Sequence, residues 1–165
     1  MPATPPDASA QLHAILKDFN DAMLVTHLPS GRMRSRPLAV AGVRADGGLY
    51  FGTAIDSPKV HELRRHPKVN VSLQSPGRFV SISGSASVSR DPKLIDELWS
   101  EAWRVWFPRG REDPELCVLI VEPDEAEYWD RSGLKGFRYL FEATRAVFTR
   151  KQPELDDRQH GKITR

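Results

Sequence analysis

Apolar and polar residues alternate along much of this chain, and stretches of helical spacing separate the alternating segments. Leu12, Ile15, Leu16 and Phe19 recur at helical spacing and predict a short amphipathic helix. Met23 to Leu28 then reads as a strand, closed by the turn signal Pro29-Ser30-Gly31. A second strand is predicted from near Met33 to Val43, a hairpin turn at Asp46-Gly47-Gly48, and a third strand over Leu49 to Thr53. Ser57-Pro58 opens a helix with serine at the cap and proline at the first helical position, and Pro67 keeps that helix short.

Val69, Val71 and Leu73 alternate with polar residues as in a half-buried strand. After a turn at Ser75-Pro76-Gly77, Phe79 to Ser89 reads as a further strand. Gly84 inside it marks a bulge or a close backbone approach. Asp91-Pro92 repeats the cap-and-proline signature, opening a helix with Leu94, Ile95, Leu98, Trp99, Ala102 and Trp106 on one stripe. Cys117 to Val121 is a short buried strand, with Ala126 to Trp129 as its partner after a turn at Pro123-Asp124. Phe137, Leu140, Phe141, Thr144 and Phe148 predict a last helix. About six strands joined largely by hairpin turns, without βαβ alternation, predict a mainly β, α+β protein built on a small antiparallel barrel. Residues 1–10 read as a flexible proline-rich lead, 11–149 as one domain, and 150–165 as a polar, mobile tail.

Composition narrows the function classes. With 165 residues, the chain suffices for one core but not for a spacious internal ligand cavity as well. A cofactor is therefore expected in a surface cleft or at a subunit boundary. Twenty-four basic residues against 22 acidic ones leave a formal charge of +2, too balanced for a nucleic-acid surface. The single cysteine, Cys117, points away from a disulfide framework and towards a reducing compartment. The N-terminal stretch lacks the charged and apolar regions of a signal peptide, and no run of apolar residues is long enough to span a bilayer; the expected location is cytoplasmic, away from membranes.

The candidate chemistry concentrates at the strand-to-helix corner from Phe51 to Lys59. Lys59 falls in the first helical turn, where the macrodipole disfavours a cation and a bound anion would reverse the sign. Backbone N–H groups, the Ser57 hydroxyl and the Lys59 ammonium could converge there on a phosphate; an exposed lysine on a capped helix is the alternative. Arg34 and Arg36 lie two apart on a strand and share a face, beside Pro37, which marks an edge or a bulge. Two such cations need a partner or open water, so a solvated outer face competes with an anion site. His61 and His66 lack the spacing of a helical metal pair, and no Cys/His cluster supports a metal. Cys117 reads as a core residue, and Trp99, Trp103 and Trp106 as packing residues.

Five segments in order carry a family resemblance: Arg34-Ser35-Arg36-Pro37-Leu38, Phe51-Gly52-Thr53 through Ser57-Pro58-Lys59, Phe79 to Gly84, Leu98-Trp99 with Trp103 to Pro108, and Pro123 to Trp129. Together they resemble the pyridoxamine-phosphate-oxidase-like FMN-binding split barrels, in particular the general stress protein 26 group. The resemblance implies a six-stranded Greek-key split barrel and a homodimer with two FMN sites, each lined by both subunits. It implies that Arg36 and Lys59 bind the FMN phosphate and that Thr53 and Ser57, next to Gly52, add hydrogen bonds. Ser35 to Leu38 would run beneath the flavin ring, with Phe79 near it and Trp129 reaching in from the partner.

Phe79 stands where the oxidase often has glutamine, and Lys135-Gly136-Phe137 followed by Tyr139 replaces its Arg-x-His pair. The resemblance therefore implies an FMN-dependent oxidoreductase of another substrate, linked to stress response, rather than a pyridoxamine phosphate oxidase. The alternative is a flavin-binding protein that stores or senses FMN without turnover. A deazaflavin in place of FMN stays open, whereas no histidine sits at a recognisable haem-ligand position.

Overall fold

The computed structural model describes residues 6–131 and 160–164. Helix α1 (Pro6–Leu16) leads into strand β1 (Asp21–His27), β2 (Met33–Ala39), β3 (Gly42–Val43) and β4 (Leu49–Ala54). Helix α2 (Pro58–Arg65) connects to β5 (Lys68–Ser75) and β6 (Arg78–Ser89); α3 (Pro92–Leu98) and two short 3-10 turns lead to β7 (Leu116–Asp130), and β8 (His160–Thr164) follows. The strands form one curled antiparallel sheet in the order β2-β1-β5-β6-β7-β4-β3, with β8 added beside β7. The architecture is the mainly β, split-barrel class expected from the sequence, with more strands than the six counted there.

Each extra strand has a local cause. The predicted strand from Met33 to Val43 divides into β2 and β3, because Val40 and Ala41 turn their N–H groups to Asn20 and Tyr50 instead of continuing one ladder. His160–Thr164, within the stretch expected to be a mobile tail, pairs with Glu125 to Trp129. The helix α1 begins at Pro6, inside the expected lead, since proline is tolerated in a first helical turn. The predicted turn at Pro123-Asp124 does not occur: β7 runs through it as one long strand. Gly84 explains this, since the register shifts there and a side chain at Gly84 would strike the Glu122 carbonyl. The glycine in β6 thus receives the proline of β7 as a bulge.

The helical stripe over Leu94 to Trp106 also breaks. Trp99 leaves the helix with extended backbone, and the Ser100 hydroxyl accepts from the Ala102 N–H to start a separate 3-10 turn, which leaves Trp106 exposed. Trp99 and Trp103 meet edge to face at 5.9 Å and close a small apolar cluster with Ile95, Phe107 and Val118 on the outer face of β4 and β7. The main core fills the concave side, where Leu24, Phe51, Val71, Ile82 and Leu119 are fully buried. Cys117 belongs to that core, and burial pushes its thiol up to about 11, against the opposing pull of Lys59, Arg64 and Arg90. Such a thiol stays protonated at neutral pH and is a poor nucleophile. The predicted helix over Phe137 to Phe148 lies outside the described residues. No described helix is long and apolar enough to cross a membrane.

Candidate functional site

The alternation of β2 sends adjacent residues to opposite faces. Arg34, Arg36 and Leu38 share the concave face with their cross-strand partners Thr26, Leu24 and Ala22, which are buried. Ser35 and Pro37 face outward with Val25 and Met23. Because β2 is an edge strand, Pro37 withholds no hydrogen bond from a second neighbour. The residues singled out in the sequence therefore fall into two groups.

The first group is a corner between β1, β2, β4 and α2. The Ser57-Pro58 signal does start α2, with Ser57 as the cap residue and proline following; His66 ends it in an extended conformation before Pro67. Lys59, in the first turn, donates its Nζ–H to the Thr53 hydroxyl at 2.8 Å. Burial, and then the Arg36 charge, pull the Lys59 pKa below its ordinary value, with Cys117 and Glu62 acting weakly the other way. The Ser57 hydroxyl caps nothing: its oxygen is shielded from solvent and has no hydrogen-bond partner.

Arg36 supplies the other wall. Its Nη1 donates to the Thr26 hydroxyl at 2.7 Å, and its Nη2 to Glu62 Oε2 at 2.6 Å. The same Glu62 oxygen accepts from the Thr26 hydroxyl, and Glu62 Oε1 accepts from Arg34 Nη1 at 3.2 Å. Glu62 is buried, with 6% of its surface exposed. Burial raises its pKa, but the Thr26 hydrogen bond and the Arg36 and Arg34 guanidinium groups outweigh it, and the carboxyl titrates below its ordinary value. The arginine pair thus has the partner its spacing demands, on a helix rather than in water.

Thr26 and Glu62 were not among the sequence candidates. The signal available for Glu62 was a carboxylate three residues after a first-turn lysine, on the face that Leu63 and Val60 bury. Three cations, Arg34, Arg36 and Lys59, surround this one carboxylate. Their sum is two positive charges, beside a shielded hydroxyl donor and the start of a helix, which is a setting for a dianion.

The second group lines a cleft of about 360 Å³ on the outer face, with Met23 and Pro37 at one side and Phe79 and Trp129 at the other. Phe79 pairs with Trp129 across β6 and β7, and Ser72 and Ser81 form the floor between the strands. Phe79 and Met23 are each 39% exposed, an open apolar surface suited to a planar ring. Ser35 lies exposed on this outer side, whereas Leu38 turns inward and packs on the core. Gly52 has a packing reason: the Trp103 ring lies over it, and an added Cβ would come within 2.7 Å of that ring. The stretch containing Lys135, Phe137 and Tyr139 lies outside the described residues.

Comparison with known proteins agrees with both the fold and the family resemblance. A family model described as "Pyridoxamine 5'-phosphate oxidase like" matches residues 7–154. General stress protein 26 of Bacillus subtilis is 28% identical over 82 residues, covering 47% of this chain and 58% of that protein. Protein bli-3 of Neurospora crassa is 29% identical over 110 residues, covering 60% of this chain and 53% of its own length. The chain thus spans little more than half the length of these two relatives. A crystal structure from Jannaschia sp. CCS1, described as a general stress protein 26, superposes with a TM-score of 0.75 at 24% identity, over 96% of this chain and 99% of that one. The general stress FMN/FAD binding protein of Xanthomonas citri gives 0.66 at 26% identity, over 77% of this chain and 91% of its own. The curled sheet, the ordered motifs and the extent of the match lead to one assignment: the chain belongs to the pyridoxamine 5'-phosphate oxidase-like family.

Proposed function

We propose that this protein binds FMN at the boundary between two copies of itself and serves as a flavin-dependent oxidoreductase of a small-molecule substrate. The observation that carries the reading is the corner at Arg36, Ser57 and Lys59. A shielded hydroxyl without a partner and a half-buried lysine facing the Arg36 charge are both costly in the free protein, and a phosphate relieves both. Phosphate donors fit there: Lys59 Nζ, the free Arg36 N–H groups, the Ser57 hydroxyl and the α2 backbone. Thr53 holds the lysine in place. The named FMN/FAD-binding relative supports the choice of ligand.

The isoalloxazine supplies hydride or electron transfer when bound, and the protein supplies position and electrostatics. Pro37, Phe79 and Trp129 form an apolar wall, but on the opposite sheet face from the Arg36 corner. One flavin reaching both kinds of surface is most simply served by the corner of one copy and the wall of another. This supports a homodimer. Among the described residues, those lining the cleft include one carboxylate, Asp21, and no cation to hold an anionic substrate. That favours a substrate other than a vitamin B6 phosphate, and it also suits a flavin carrier without turnover.

The test is a comparison of FMN and riboflavin binding to the wild type and Lys59→Ala. Loss of a charge-assisted hydrogen bond, about 1.5–3 kcal/mol, weakens FMN roughly tenfold to hundredfold and leaves riboflavin unaffected. Equal affinity of the wild type for both ligands overturns the phosphate assignment. Light scattering of the flavin-loaded protein reports the dimer, with a flavin-bound monomer refuting the shared site. Steady-state NADPH oxidation by the loaded protein separates enzyme from carrier.

A further inference from the structure

Glu62 joins two halves of the corner that come from different parts of the chain. Arg36 belongs to an edge strand, whereas Ser57 and Lys59 belong to the start of α2. The Glu62 carboxylate is the group that touches both: it stands one turn along α2 from Lys59 and accepts from Arg36, Arg34 and Thr26. Arg36 gives one N–H to Thr26 and one to Glu62, which leaves three of its five donors for a ligand, in a fixed plane.

Stability alone does not account for this arrangement. Burying a carboxylate is costly, and apolar side chains of similar volume would fix a helix to a sheet at least as well. What Glu62 adds is direction for the guanidinium group and a limit on charge. With it, Arg34, Arg36 and Lys59 carry two net positive charges; without it they carry three, Arg34 loses its partner and Arg36 keeps only its bond to the Thr26 hydroxyl.

We infer that Glu62 is a positioning and specificity residue of the flavin-phosphate corner: it registers the arginine strand against α2 and tunes the site to a phosphomonoester dianion. The inference rests on the FMN reading above. A phosphomonoester carries about two negative charges at neutral pH. Each phosphate of a dinucleotide carries only one, so the corner favours FMN over FAD as well as over riboflavin.

The experiment measures FMN, FAD and riboflavin affinities for the wild type, Glu62→Gln and Thr26→Val, with a melting curve for each. Gln keeps the shape of Glu62 but loses its charge and turns an N–H group towards either Arg34 or the Arg36 and Thr26 pair. The FMN-to-riboflavin affinity ratio should fall about tenfold in Glu62→Gln, as one charge-assisted contact is misdirected, and several-fold in Thr26→Val. Riboflavin affinity should hold in both, and the preference for FMN over FAD should shrink. Thr26→Val carries the test if Glu62→Gln does not fold. A lowered melting temperature with an unchanged FMN-to-riboflavin ratio makes Glu62 a purely structural group and overturns the inference. A ratio that rises overturns it too, because Glu62 would then compete with the phosphate. A wild-type ratio near one is a distinct result: it removes the phosphate reading itself, and the role built on it.

Discussion

Arg36 and Pro37 are neighbours in the chain, yet they belong to regions built on opposite principles. The corner around Arg36 is polar: its carboxylate is buried, and Arg36, Thr26, Glu62, Lys59 and Thr53 meet through directed hydrogen bonds between side chains of different elements. The cleft beside Pro37 is open and apolar, with Met23 and Phe79 each 39% exposed. The difference is instructive. Directed hydrogen bonds within one chain can preorganise an anion site, whereas an exposed apolar wall acquires its full value when something covers it. One region is bonded within the chain and the other is left open. Substitutions in the two should therefore have separable consequences.

The largest effect is expected for Arg36→Met. It leaves the buried Glu62 carboxylate with Arg34 and Thr26 only, and breaking a buried pair from one side costs about 3–5 kcal/mol. The remaining partners place this case near the lower end, about 3 kcal/mol. Chemical denaturation without flavin measures it. A loss below about 0.5 kcal/mol, typical of an exposed pair, would show that the corner is not preorganised. Next comes the cleft: Phe79→Ala should weaken FMN and riboflavin alike, by up to about tenfold, because aromatic packing is indifferent to the phosphate. A change confined to FMN would erase the distinction between the regions. The same variant should raise the dimer dissociation constant in analytical ultracentrifugation.

Acid should act on the corner and spare the cleft. The Glu62 pKa is lowered in the folded state, so the unfolded chain binds its proton first as pH falls. Its contribution is complete above the ordinary carboxylate range and disappears as pH drops through the lowered folded value. Melting temperature measured from pH 6 downward, to about pH 3, should fall more steeply for the wild type than for Glu62→Gln. Parallel curves would mean that another carboxylate dominates the acid response.

The sequence made the helix start at Ser57-Pro58 legible because capping and proline geometry are local, needing only adjacent residues. The same holds for the hairpin at Asp46-Gly47-Gly48, where Gly47 has a φ of +83° and Asp46 Oδ1 accepts from the Gly48 N–H. Pairwise features were not legible. Pro123-Asp124 resembles a turn until Gly84 is placed opposite it, and nothing near Pro123 announces that glycine. Glu62 likewise looks like any helix-surface carboxylate until β1 and β2 bring Thr26, Arg34 and Arg36 to it, 36, 28 and 26 residues away in sequence. The division of Arg36 and Pro37 between two faces follows from strand alternation and was readable. Which face was the inner one depended on Leu24 and Thr26 across the ladder.

The smallest effect carries the sharpest sign. In the free protein, the Ser57 hydroxyl is shielded and unpartnered, and it contributes no capping bond to α2. Ser57→Ala therefore removes a group whose desolvation is uncompensated, at no loss of a cap. The free protein should become more stable, by up to about 1 kcal/mol, against the usual penalty for losing a serine cap. If phosphate is the missing partner, the same substitution deletes one of its hydrogen bonds, and FMN should bind several-fold more weakly while riboflavin stays as it was. Stability rises and affinity falls in one variant. A cap that was merely overlooked would make stability fall instead, and a hydroxyl without a function would leave FMN binding untouched. Thermal melts of the flavin-free protein and flavin titrations of the same preparation decide among the three.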